Sequence, residues 1–166
     1  VGLTTGACLA AVGHEVICTD SDAAKIAHLQ QGGIPIFEER LPEVIRAGVA
    51  AGRLQFDADT AAAMQAAEVI FICVGTPPDA DGKANLAAVE AVTRQIAAQC
   101  RGYRLIVSKS TVPVHTGAQI KRVLAAYGGE GRDFDVASNP EFLRGGPGVF
   151  AFFHPDRRVP RCESPR

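Results

Sequence analysis

Val69-Ile70-Phe71-Ile72-Cys73-Val74-Gly75-Thr76-Pro77-Pro78 sets the architecture of this chain. Six apolar residues without alternation read as a strand buried on both faces, the mark of a parallel sheet covered by helices. Gly75 and the two prolines stop it, because proline has no N–H to give to a ladder. Working outward, the same alternation of short apolar strand and helical segment continues in both directions. Downstream come a polar loop over 79–83, a long amphipathic helix over 86–100, a strand over 105–108, a helix over 115–127 and a strand over 134–137. Upstream lie helices over 3–12, 23–31, 41–51 and 61–67, with strands over 15–19 and 54–56. Gly13 is suited to close the first helix and Thr60 to cap the fourth. Strands alternating with helices predict an α/β fold with a parallel sheet.

Composition agrees with a globular domain. The chain has 166 residues, 47% of them hydrophobic and 21% charged, with a formal net charge of −1. That balance gives no electrostatic case for nucleic acid or a membrane surface. No apolar run approaches the roughly 20 residues needed to cross a bilayer. The five cysteines include no C-x-x-C pair, so no metal site is expected, and four of them lie in apolar segments as reduced thiols. A reducing cytoplasm is the expected compartment.

Three strand ends carry the polar chemistry. They are Val74-Gly75-Thr76-Pro77-Pro78, Ser108-Lys109-Ser110-Thr111-Val112-Pro113 and Ser138-Asn139-Pro140-Glu141. Ligands of open parallel sheets bind outside the carboxyl ends of the strands. Gly75 admits close backbone approach, Thr76 and Thr111 offer hydroxyls, and Glu141 offers a carboxylate that could position water or accept a proton. Each alone is equally a turn or capping residue, but three at equivalent topological positions point to a shared site. Lys109 is expected to be solvated.

A fourth polar strand end is Asp20, which follows Gly2 by 18 residues, close to the ~20 that separate a dinucleotide-binding glycine loop from its ribose-binding acid. A carboxylate there would accept ribose hydroxyls beside a helix N-terminus that holds pyrophosphate. It would also repel a 2′-phosphate, favouring NAD over NADP. Equally, Asp20, Ser21 or Asp22 could cap the helix that follows.

Together these segments resemble the UDP-glucose 6-dehydrogenase family. Val1-Gly2-Leu3 resembles the end of its Gly-x-Gly-Tyr-Val-Gly-Leu loop. The runs 74–78, 108–113 and Asn139-Pro140-Glu141-Phe142-Leu143-Arg144 are similar to its later signatures in order and spacing. The resemblance covers residues 1–144 and implies a Rossmann-like, doubly wound parallel sheet whose first strand and glycine loop are truncated. It implies NAD as cofactor and UDP-glucose as substrate, oxidised in two hydride transfers through a cysteine-bound thioester. GDP-mannose and UDP-N-acetylmannosamine dehydrogenases share the architecture, and a non-catalytic nucleotide-binding module is the reading from another class.

Residue by residue, the resemblance places Gly2 at the pyrophosphate turn and Asp20 on the adenosine ribose. Lys25 lies near that ribose or is a plain surface lysine. Gly75, Thr76 and Thr111 are placed at the cofactor. Thr111 and Glu141 hold the catalytic water, with Glu141 as base, and Glu141, Phe142, Leu143 and Arg144 face the substrate. The resemblance also implies a homo-oligomeric full-length enzyme.

The chain departs from the family at Gly145-Gly146, where a glutamate and glycine are expected. Residues 145–166 read as an aberrant continuation of the same domain, and Arg158, Pro160 and Arg161 disfavour a strand there. The central helical and UDP-sugar-binding domains, with the catalytic cysteine, are expected elsewhere, so this chain alone is expected to be inactive. The missing first strand would leave unpaired sheet edges and weak NAD binding.

Overall fold

The computed structural model describes residues 1–129, 131–140, 147–155 and 160–162. They fall into two compact units, one from the described residues of 1–63 and 142–157, the other from those of 64–141 and 158–166.

In the first unit α1 (Gly2–Ala11) leads into β1 (Val16–Cys18), α2 (Ala23–Gln30), α3 (Leu41–Ala50) and β2 (Leu54–Phe56). The Ala-rich α1 ends at Val12 with Gly13 at φ +110°, a left-handed closure that glycine adopts without strain. β1 and β2 pair in parallel, Val16 opposite Leu54 and Cys18 opposite Phe56. Leu54 and Phe56 point inward while Gln55 is exposed. Ala7, Cys8 and Ala10 of α1 join Ile26 and Leu29 of α2, Leu41 and Ile45 of α3, and the two β2 residues in one core. A helix that the sequence pattern does not announce, α7 (Gly148–Phe153), adds Val149 to that core. The Gly148 N–H donates to Glu38 Oε2 at 2.9 Å, so a side chain from the loop before α3 caps its start.

In the second unit the order is β3 (Val69–Ile72), α5 (Ala87–Gln99), β4 (Gly102–Ser108), α6 (Thr116–Tyr127), β5 (Arg132–Ser138) and β6 (Arg161–Cys162). The helix α4 (Thr60–Ala66) spans the boundary between the units. β3, β4 and β5 are parallel, with Ile72 opposite Ser108 and Ser108 opposite Ser138. Ile72, Ile106 and Val136 from the three strands pack with Ile96 of α5 and Ile120 and Leu124 of α6. The predicted α/β class with parallel pairing therefore holds.

Three expectations need correction. β3 is not buried on both faces: Val69 is 44% exposed and Ile72 alone is fully covered, because β3 is the outermost strand of its four-stranded sheet. Thr60 does not cap α4. It is the first helical residue, and Asp59 caps instead, accepting from the Ala62 N–H at 2.9 Å. Arg161 and Cys162 do form a strand, paired antiparallel to Ser138 and Ala137. A two-residue edge asks for only one register match, which Pro160 just before it does not obstruct. Residues 148–153 are helical, in a stretch for which the sequence pattern sets no expectation of secondary structure. Among the described residues no helix is long and apolar enough to cross a membrane.

Candidate cofactor site

In the first unit the ambiguity at the end of β1 is resolved by geometry. Asp22 is the N-cap of α2: its Oδ1 accepts from the backbone N–H of Ala24 at 3.0 Å and of Lys25 at 3.1 Å. Asp20 is thereby free of capping duty. Its Oδ1 accepts from the Asp22 N–H at 3.1 Å, and its Oδ2 takes the Lys25 ammonium. Lys25 is therefore not a bare surface lysine but a partner of the candidate acid. Burial alone would push the Asp20 carboxyl up; the Lys25 ammonium and the Asp22 and Ser21 amides outweigh it and hold it below the usual carboxylate range. An ionised carboxylate has about four acceptor positions. With the Lys25 ammonium and the Asp22 and Ser21 amides on it, about one position is left for a ribose hydroxyl.

Gly2 opens α1, and no side chain caps that end of the helix. The Thr5 N–H already donates to Val1 O at 2.9 Å, while the Thr5 hydroxyl is buried without a partner among the described residues. Uncapped first-turn amides are the donors a phosphate needs. A Cβ at Gly6 would come within 2.5 Å of Cys18 Sγ, so this glycine lets α1 lie close on β1. The donor set, with uncapped first-turn amides on α1 and an ionised acid after β1, fits the adenosine half of a dinucleotide.

In the second unit the turns after β3 and β4 are bonded together. Gly75 is exposed, with nothing within 4 Å of where a Cβ would stand, so its backbone is open to approach. The Thr76 hydroxyl donates to Thr111 O at 2.8 Å. The Ser110 hydroxyl donates to Val74 O at 2.7 Å and lies 3.3 Å from Ile72 O. The amides of Lys109 and Ser110 both converge on Ile72 O, at 2.9 and 3.2 Å. After β5, the Asn139 amide donates to Ser108 O at 2.9 Å. Lys109 corrects another expectation: it is 7% exposed, not solvated. Ser108 is buried too, and its hydroxyl has no partner among the described residues.

Gly2, Asp20 and Lys25 thus belong to the first unit, with Asp20 and Lys25 in contact, and Gly75, Thr76 and Thr111 to the second. Glu141, Phe142, Leu143 and Arg144 lie outside the described residues. Sequence reasoning passed over Ser110 and the Asp20–Lys25 pair. The five-residue offset of that pair is visible in the sequence, but only the bend between β1 and α2 makes it a contact.

Comparison with known proteins gives the family and the fold. The model of the UDP-glucose/GDP-mannose dehydrogenase family, NAD binding domain, matches residues 1–161. A UDP-glucose 6-dehydrogenase of Rhizobium meliloti is 46% identical over 160 residues, covering 96% of this chain and 36% of that protein. The structure of a UDP-glucose dehydrogenase from Pyrobaculum islandicum aligns with a TM-score of 0.93 at 37% identity, over 98% of this chain and 38% of that one. A ternary complex of GDP-mannose dehydrogenase from Pseudomonas aeruginosa aligns with a TM-score of 0.90 at 34% identity, over 96% and 38%. The fold and the donor set define a nucleotide-binding α/β domain of the dehydrogenase type. The chain belongs to the UDP-glucose/GDP-mannose dehydrogenase family and matches its NAD-binding domain. It spans about 36% of the length of the curated relatives it matches.

Proposed function

We propose that this chain is the NAD-binding part of a dehydrogenase that oxidises UDP-glucose to UDP-glucuronate in the reducing cytoplasm. The observation that carries the reading is the division of labour after β1, where Asp22 caps α2 and leaves Asp20 ionised for the adenosine ribose. When bound, NAD accepts the hydride, and two such transfers take a primary alcohol to a carboxylate with one water consumed. Lys25 neutralises Asp20 without supplying the arginine fork that a 2′-phosphate would require. Gly75 and Thr76 contribute backbone and hydroxyl on the cofactor side. Thr111 and Glu141 hold the hydrolytic water, Glu141 takes its proton, and Phe142, Leu143 and Arg144 meet the sugar nucleotide. The 46% identity to a protein named UDP-glucose 6-dehydrogenase favours that substrate over GDP-mannose. The full-length enzyme is proposed to be a homo-oligomer.

Among the described residues, neither fully buried cysteine is placed to supply the thiol such chemistry needs. Cys8 is buried in a core, and burial pushes its thiol up to about 11. Cys100 is buried as well, its Sγ bonded to Met64 O at 3.4 Å. A protonated, enclosed thiol is not a nucleophile at neutral pH. NAD titrated into the chain and followed by NMR is expected to shift resonances of α1 and of the turn after β1. NADP should not shift them, and UDP-glucose with NAD should yield no NADH. Equal response to NAD and NADP, or no response to either, would overturn the cofactor reading.

A further inference from the structure

We propose that Ser110 and Thr76 are a reciprocal pair of positioning residues that fixes the backbone of Gly75 relative to Thr111. The inference rests on the NAD-binding reading but is tested separately from it.

The parallel ladder between β3 and β4 ends at Ile72 and Ser108. Just beyond that pair the ladder gives way to a turn, with the Lys109 and Ser110 amides both on Ile72 O, and further on Pro77, Pro78 and Pro113 have no N–H to give. Two side chains take over. Ser110, in the turn after β4, donates its hydroxyl back to Val74 O at 2.7 Å, and Thr76, in the turn after β3, donates its hydroxyl forward to Thr111 O at 2.8 Å. Each turn gives one donor and one acceptor to the other. The two bonded residues of the first turn bracket the glycine: Val74, an acceptor, precedes Gly75 and Thr76, a donor, follows it. Ser110 is 5% exposed, so its bond is shielded from competing water.

The arrangement changes what Thr76 can do for a ligand. A hydroxyl has one proton, and that of Thr76 is committed to Thr111 O, so toward a cofactor Thr76 can accept but not donate. Thr111 is engaged through its carbonyl, which leaves its hydroxyl available on an exposed turn. Ser110, which touches no ligand in this account, sets the separation at which Gly75 and Thr111 are presented.

The test uses the whole chain with Ser110→Ala, Ser110→Thr, Thr76→Val and the Ala/Val double variant. Hydrogen–deuterium exchange is followed in segments 73–77 and 109–115, and NAD affinity by NMR titration. Ser110→Ala is expected to speed exchange in both turns, including the turn it does not belong to, while α5 stays protected. It is expected to weaken NAD about tenfold, the equivalent of one net hydrogen bond. Ser110→Thr should restore both, and the double variant should lose less than the two single losses combined. Unchanged exchange in the 73–77 turn would overturn the clasp even if NAD does not bind. Faster exchange with NAD affinity unaltered would overturn the positioning role and leave a purely structural one. Failure of the unmodified chain to bind NAD would instead count against the cofactor reading.

Discussion

Asp20 and Asp22 stand two positions apart, and the fold gives them different work. Asp22→Ala removes a cap from α2 and is expected to cost about 1 kcal/mol of stability in thermal unfolding. Asp20→Asn should leave the cap intact and weaken NAD by about tenfold or more, since a charged acceptor is worth roughly 1.5–3 kcal/mol. A larger stability loss for Asp20→Asn than for Asp22→Ala would contradict the assignment. The pH dependence follows from the lowered carboxyl. A depressed folded-state value makes the ion pair's contribution complete above the unfolded value of about 3.9 and removes it as pH falls through the folded value. Asp20 should therefore add nothing to the pH dependence between neutrality and about pH 5. Because the Lys25 and Asp20 side chains are 41% and 31% exposed, the acid-labile part is about 0–1 kcal/mol. In the sequence these two aspartates were interchangeable, because the same residue type caps helices and binds ribose. The direction of each carboxylate is a property of the bend, not of the residue.

At the level of elements, the alternation of strand and helix was legible, and so were closures such as Gly13. The losses came where a signal is short or where a pattern has two causes. The expected strand over 105–108 extends back to Gly102, because pairing with Arg132 and Asp133 recruits residues whose own side chains are polar. α7 has six residues, fewer than two full turns, and gains its order from Val149 in the core and Glu38 at its start. α3 shows local strain overcome by packing. Arg40, its N-cap, sits at φ +64°, while Leu41 beside it is completely buried. A left-handed non-glycine residue costs roughly 1–2 kcal/mol, and glycine would return part of that as unfolded-state entropy. Arg40→Gly is therefore expected to stabilise the chain by about 0.5–1 kcal/mol in denaturant titration. A destabilised variant would show that the arginine side chain contributes more than its backbone costs.

For the whole molecule, the sequence expectation of exposed sheet edges has a counterpart in each unit taken by itself. β1 pairs only with β2, and β3 only with β4, among the described residues. Ile17 is 41% exposed and Val69 44% exposed, so both strands present β-branched apolar side chains beside an unpaired edge. Such edges template further pairing. Light scattering on a size-exclusion column is expected to show concentration-dependent association, reduced by Val69→Lys. A monomer at every concentration would remove the argument. The candidate site was legible in its residue types and spacing, because Gly2, Asp20, Gly75, Thr76 and Thr111 stand at strand or helix ends. The hydroxyl bonds between turns were not, since Ser110 and Thr111 are neighbours and only the path of the backbone separates their roles.

The contact between Glu38 and Gly148 joins residues 110 positions apart, and Val149 packs in the core that Ala7 begins. The first unit is thus assembled from both ends of the chain, whereas β3, β4 and β5 with α5 and α6 form one continuous run. During synthesis the inner run emerges complete while the outer unit still waits for α7. Closing so long a loop carries an entropic cost that the inner strands do not bear. Pulse-labelled exchange during refolding should accordingly protect β4 and β5 before α1. Residues of α1 are made before the inner run and find their place after it.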